Sequence, residues 1–102
     1  SQINYIEARG HGCVIEIFTK ENNLKQVKQT EVSESISELE TLLPKQGFIK
    51  CHRSYLCSIQ NIHHIGKTEI IFDTGSHIPV SRRLHKDVNQ AFIQYFSRLA
   101  KT

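Results

Sequence analysis

Residues Phe48 to Ile62 read FIKCHRSYLCSIQNI, two apolar runs broken by a polar triplet, His52, Arg53 and Ser54. Phe48, Ile49 and Cys51 before the triplet, and Tyr55, Leu56 and Cys57 after it, favour a buried sheet. The triplet therefore falls where the chain leaves that sheet, on a short turn held by a rigid frame. All three of its side chains donate hydrogen bonds. Arginine presents a planar fork that matches guanine O6 and N7 in a DNA major groove, and serine and histidine bond phosphates or base edges. On these residues alone the commoner arrangement is a solvated arginine beside a histidine satisfied at a sheet edge, because surface cations are frequent and short motifs are weak evidence.

Toward the C-terminus, strands are expected at Ile62 to Ile65, Thr68 to Asp73 and His77 to Ser81, with turns at Gly66-Lys67 and Thr74-Gly75. Such short spacings make antiparallel hairpins. The last of them, HIPVSRR from His77 to Arg83, again ends a strand in exposed cations. Leu84, Val88, Ala91, Phe92, Tyr95, Phe96 and Leu99 then form an apolar stripe at helical spacing from Leu84 to Ala100, assigned to packing rather than readout.

Toward the N-terminus, Ser33 to Pro44 is the other helix. Ser35 and Glu38 have capping-box spacing, Ile36, Leu39, Leu42 and Leu43 recur on one face, and Pro44 and Gly47 mark the exit. Ahead of it, Ile3 to Glu7 and Cys13 to Thr19 read as strands, the second with Ile15 and Ile17 on one side and Val14, Glu16 and Phe18 on the other. Between them Arg9-Gly10-His11-Gly12 joins two conformationally free glycines to two side chains suited to anions, a third candidate contact loop. A turn at Glu21 to Asn23 leads into Lys25 to Val32, either an exposed edge strand or an irregular loop. The expected fold class is mostly β, antiparallel strands in small stacked sheets, with one short helix after the early strands and a C-terminal helix.

With 102 residues and 38% hydrophobic content, the chain suits one domain spanning residues 1–102, with a modest core. Its 13 Lys and Arg against 10 Asp and Glu give a formal +3, a mild bias toward polyanions, so charge distribution matters more than the total. Cations gather between Lys45 and Arg53 and between Arg82 and Lys86, whereas Glu31, Glu34, Glu38 and Glu40 make the first helix region acidic. There is no apolar run of membrane-spanning length and no signal-like segment, which leaves a cytoplasmic location as the expectation. Three cysteines without framework spacing fit reduced thiols, with Cys51 and Cys57 in the core. A chain without methionine that begins Ser1-Gln2 reads as a C-terminal fragment of a longer protein, with removal of an initiator methionine as the alternative.

Taken in order, INYIEA, VIEIF, ISELETLLP, FIKCHRSYL and IPVSRR resemble the signature of the LytTR family of bacterial DNA-binding domains, the output modules of many two-component response regulators. The resemblance runs from Ile3 to about Leu99. It implies a LytTR-type β fold that contacts successive grooves of double-stranded DNA through loops rather than a recognition helix. By this resemblance Arg53 and Arg82 reach base edges, and Arg9, His11 and Cys13 belong to the first groove-facing loop. His52, Ser54 and Arg83 suit phosphates, which fix register while base contacts specify sequence. Capping the sheet, or pairing with Asp87 four residues on, suits Arg83 equally well. Lys50 stands where the family commonly has arginine, keeping the charge but losing the fork, and Cys57-Ser58 replaces the usual valine-asparagine. The resemblance also implies an N-terminal receiver domain whose phosphorylation controls assembly, and paired direct repeats occupied by a side-by-side dimer. Family members usually have strand-forming sequence ahead of the INYIEA-like segment, so an unpaired edge near Ile3, open to strand exchange between copies, is expected here.

Two other classes compete. A metal-dependent nuclease could collect His52, His63, His64 and Asp73 around a divalent ion. No HExxH, phosphate-cradling glycine loop or nucleophile elbow accompanies them, and Cys51 and Cys57 form no CxxC pair, so neither enzyme nor metal nor cofactor is expected. A protein-interaction module would rest on the acidic first helix and the apolar last one, both of which core packing explains. Metal content and phosphodiester cleavage separate the nuclease from a binding module, and salt-sensitive binding to duplex DNA separates the interaction module.

Overall fold

A computed structural model describes residues 2–45 and 47–100. Strands β1 (Ile3–Arg9) and β2 (Gly12–Glu21) pair antiparallel across the two-residue turn Gly10-His11. Gly10 takes φ +62° and His11 does not take a positive φ, the pattern of a type II′ hairpin, whose twist matches that of its strands. Gly12 is required for space: a Cβ there would collide with the Val32 carbonyl oxygen on the next strand. Asn22 and Asn23, at φ 51° and 65°, form a second two-residue turn into β3 (Leu24–Val32). The polar segment that sequence left between strand and loop is thus a regular edge strand, paired with β2 from end to end. Lys25 and Lys28 on it are charges of the kind that discourage edge-to-edge association.

The larger sheet has the order β3-β2-β1-β5-β4, completed by β4 (Phe48–His52) and β5 (Tyr55–Ser58). This corrects the expectation of an unpaired edge near Ile3. β1 is the central strand, because the apolar β4–β5 hairpin returns to its free side, and the Phe18 amide donates to the Gln2 carbonyl so that pairing with β2 continues past Ile3. A 3-10 turn (Ile59–Asn61) then leads to a second sheet of β6 (Ile62–Ile65), β7 (Glu69–Phe72) and β8 (His77–Pro79). The helices are α1 (Ile36–Leu42) and α2 (His85–Ala100). No described helix is long and apolar enough to cross a membrane.

Strand alternation sends apolar side chains to both faces of the larger sheet. On one face Tyr5, Cys51 and Cys57 pack with Ile62, Ile70, Phe72, Ile78 and Val80 of the smaller sheet and Val88 of α2. On the other, Ile6, Cys13 and Leu56 meet Ile36, Leu39 and Leu43. The larger sheet therefore lies between α1 and the smaller sheet. α1 begins with the expected capping box, the Glu38 amide donating to Ser35 Oγ at 3.2 Å and the Ser35 amide to Glu38 Oε1 at 3.1 Å.

Two apolar assignments are corrected. Leu42 is 73% exposed: α1 ends there, and Leu43, in extended conformation at the cap, occupies the core in its place. The stripe on α2 is buried only near its start. Val88 and Phe92 pack on the core, but Phe96 and Leu99 are 39% and 54% exposed because the helix outruns the sheets it covers.

A polar cluster that the sequence did not announce is buried between the sheets. Glu16 lies in a cross-strand row with Tyr5 and Gln29 and is 4% exposed. Its carboxylate accepts from Asn4 Nδ2 at 3.1 Å and from the Tyr5 hydroxyl at 3.2 Å, while Gln29 Nε2 donates to that hydroxyl oxygen. Burial and then the Glu16 charge push the Tyr5 pKa up to about 12, so the phenol stays a donor. Asn4, at a bulge in β1, also donates to Thr74 Oγ1 in the β7–β8 turn, and Asn61 donates to the Ile3 carbonyl and to Ser58 Oγ. The departure at Ser58 is thereby absorbed into a buried hydrogen bond rather than a surface contact.

Candidate nucleic-acid interface

The turn between β4 and β5 is built from the side chains the sequence singled out. His52 pairs with Tyr55, so Arg53 and Ser54 alone form the turn, and neither has positive φ. The Ser54 amide donates to His52 Nδ1 at 3.1 Å, a side-chain closure that fixes the turn, and the His52 ring meets Tyr55 edge-on at 5.6 Å. A β-bulge at Cys51 precedes it, the device by which a sheet re-aims the residues that follow. His52 and Ser54 are half-buried, whereas Arg53 is exposed.

Two backbone hydrogen bonds bring the other loops to this turn. The Ala8 amide donates to the Ser54 carbonyl at 2.8 Å, placing the Arg9 to Gly12 turn beside it. The Ser81 amide donates to the Cys51 carbonyl at 2.9 Å, placing Arg82 and Arg83 on its other flank. Buried Cys51 reinforces the second join, its thiol lying 3.9 Å from the Tyr55 carbonyl and 3.8 Å from that of Pro79. Arg53, Arg82 and Arg83 are exposed and enter no ion pair among the described residues, so Arg83 does not pair with Asp87. Arg9 is exposed and bonds Glu7 Oε1 at 2.9 Å, and His11 is exposed at the tip of its turn.

Cys13 and Lys50 sit differently. The Cys13 side chain is buried in the α1-side core with its pKa raised, first by burial and then by Glu34 and Glu38, and it lies at the edge of a hollow that Arg9, His11 and Ser33 also line. Lys50, opposite Leu56 on β4, lines a groove of about 290 Å³ with Leu43, Leu84, Glu40 and Asp87. Two carboxylates, from α1 and α2, thus share the groove that Lys50 lines. Cys57, wholly buried beside Cys51, has its pKa raised well above the ordinary thiol value by hydrogen bonding to Cys51 and by burial.

Sequence reasoning missed a second cationic feature. A hollow of about 590 Å³ is lined by Lys67, Thr68, Arg82, His85 and Lys86. His85 assembles it: Asn89 Nδ2 lies 3.1 Å from Nδ1, which therefore accepts, and Nε2 donates to the Gly66 carbonyl at 2.8 Å. That bond ties the β6–β7 turn carrying Lys67 to the start of α2. The signal was visible only as a lysine in a turn, remote in sequence from Arg82. Of the four residues raised for a metal, His63 and Asp73 do meet, at 3.4 Å, but no metal-binding group of three or more His, Cys, Asp or Glu occurs among the described residues.

Comparison with known proteins follows the same lines. The family model described as the LytTr DNA-binding domain matches residues 1–93. A solved LytTr DNA-binding domain from Bacillus cereus superposes with a TM-score of 0.71 at 26% identity, covering 88% of this chain and 80% of that one. Uncharacterized response regulatory proteins of Vibrio vulnificus and Yersinia pestis are similar, at 32% identity over 82% of the chain and 40% over 51%. These matches span only 40% and 24% of the relatives' own lengths.

Proposed function

The chain belongs to the LytTR family of DNA-binding domains, and from that premise we propose that it reads a specific duplex sequence as the output domain of a bacterial two-component response regulator. Its relatives named as response regulatory proteins support that context. The observation that carries the reading is the joining of three loops at one end of the larger sheet by the Ala8–Ser54 and Ser81–Cys51 backbone bonds. Those loops offer exposed arginines that the core does not use. Loops on a hydrogen-bonded sheet hold their direction better than free segments, which suits readout of base edges.

In this reading Arg53 and Arg82 reach base edges in the major groove and the Arg9 to His11 turn contacts a neighbouring stretch. Ser54, Arg83, Lys67 and Lys86 engage phosphates, and His52 shapes the turn. α2 stays outside the groove, since Val88 and Phe92 commit its inner face to the core. The domain acts by binding, without catalysis or cofactor. In the full-length protein it follows a receiver domain, works in the cytoplasm, and occupies paired direct repeats as two copies side by side.

Selection from random duplex DNA, followed by anisotropy titrations over a salt series, tests this. A repeated motif should emerge, with affinity falling linearly in log–log form as salt rises. Equal affinity for all sequences at matched salt would overturn specific readout. Replacing Lys67 and Lys86 together with alanine should lower the salt slope by about 0.9 for each phosphate no longer neutralised, and weaken all sequences alike. A change in base preference from that pair would remove them from the phosphate role.

A further inference from the structure

Glu7 is a carboxylate drawn into a cationic edge. It lies two residues before Arg9 on β1, hence on the same face of the strand, and directly opposite Tyr55 on β5. Its Oε1 accepts from Arg9 Nη2 at 2.9 Å. Tyr55 has its pKa raised, first by burial and then by the Glu7 charge, so its hydroxyl stays protonated. Tyr55 in turn contacts the His52 ring, which closes the turn through the Ser54 amide. Glu7 thus stands between Arg9, which it holds, and its cross-strand partner Tyr55, whose ring borders the turn that carries Arg53.

Stability does not account for this arrangement. The Arg9 and Glu7 side chains are 56% and 22% exposed, and ion pairs at such sites add little to folding. Toward DNA a carboxylate is a cost, since it repels phosphate. We infer that Glu7 is a positioning residue for DNA recognition: it grips the Arg9 guanidinium at one Nη so that the remaining donors face the groove in a fixed direction, from a strand whose register with β5 sets that direction relative to the Arg53 turn. The inference rests on the proposed DNA contact of the Arg9 to His11 loop. Its signature is a trade, discrimination gained by an oriented fork against general affinity lost to repulsion.

The test is a base-substitution binding scan at fixed salt on the parent, Glu7→Gln, Arg9→Ala and the double variant, with melting temperatures alongside. Glu7→Gln should cut discrimination about tenfold at the base position that Arg9 governs, raise affinity for unrelated duplex, and leave the melting temperature unchanged. In the Arg9→Ala background it should have no further effect on discrimination. The inference fails if Glu7→Gln relaxes preference equally when Arg9 is absent, or leaves preference intact where Arg9→Ala does not. If Arg9→Ala itself alters no base preference, the loop contact is wrong and the role of Glu7 falls with it. Should Glu7→Gln lose the fold, Glu7→Asp retains the charge but withdraws the carboxylate by one methylene. It should relax the same position by a smaller factor, and parent-like discrimination from it would overturn the inference.

Discussion

Replacing Phe72 with alanine should destabilise the domain by about 3 to 5 kcal/mol, the range for deleting a fully buried aromatic ring. Phe72 is 1% exposed, stacks against Tyr5 at 5.9 Å, and joins the smaller sheet to the larger one. A small domain has about 5 to 15 kcal/mol in total, so this single change consumes much of the margin. Leu42→Ala should by contrast stay within about 0.5 kcal/mol, because its side chain is 73% exposed. Urea denaturation followed by circular dichroism measures both. Equal losses would mean that α1 docks on Leu42 and that the α1-side core is misassigned.

The contrast between Phe72 and Leu42 shows where sequence stops being informative. Outside the polar β3, order and type of elements were legible because each has a local cause: apolar arms around His52 to Ser54, paired asparagines at the second hairpin, serine and glutamate at the start of α1. The face of α1 was not, since the helix is only seven residues long and an extended cap residue, Leu43, replaces Leu42 in the core. Burial of Glu16 was equally hidden. Alternation placed it on the correct strand face, but its partners are supplied by β1 and β3 through strand register. The same limit applies to the candidate interface. Arg9, Arg53 and Arg82 were each visible as cations in turns, yet their proximity depends on β1 taking the centre of the sheet and on the two amide bonds to Ser54 and Cys51. The burial of the Cys13 side chain was hidden too, because a thiol next to a candidate loop gives no local sign of pointing inward.

Arg53→Ala should weaken binding to the selected site by about 1 to 3 kcal/mol, roughly fivefold to 150-fold, and relax preference at one base position. The melting temperature should hold, because Arg53 is exposed and the turn is maintained by His52 Nδ1, the Ser54 amide and the Ala8 amide rather than by the guanidinium. Arg53→Lys supplies the charge without the fork and should recover the salt slope but only part of the discrimination. Arg82→Ala should show the same dissociation of affinity from stability at a different base position, since a separate backbone join, to Cys51, fixes its place. These readouts distinguish a base reader from a phosphate contact on the same residue. If Arg53→Ala lowered affinity for every duplex by one factor and Arg53→Lys restored it fully, the guanidinium would be acting as a charge alone, and sequence reading would have to pass to Arg82 and the Arg9 loop.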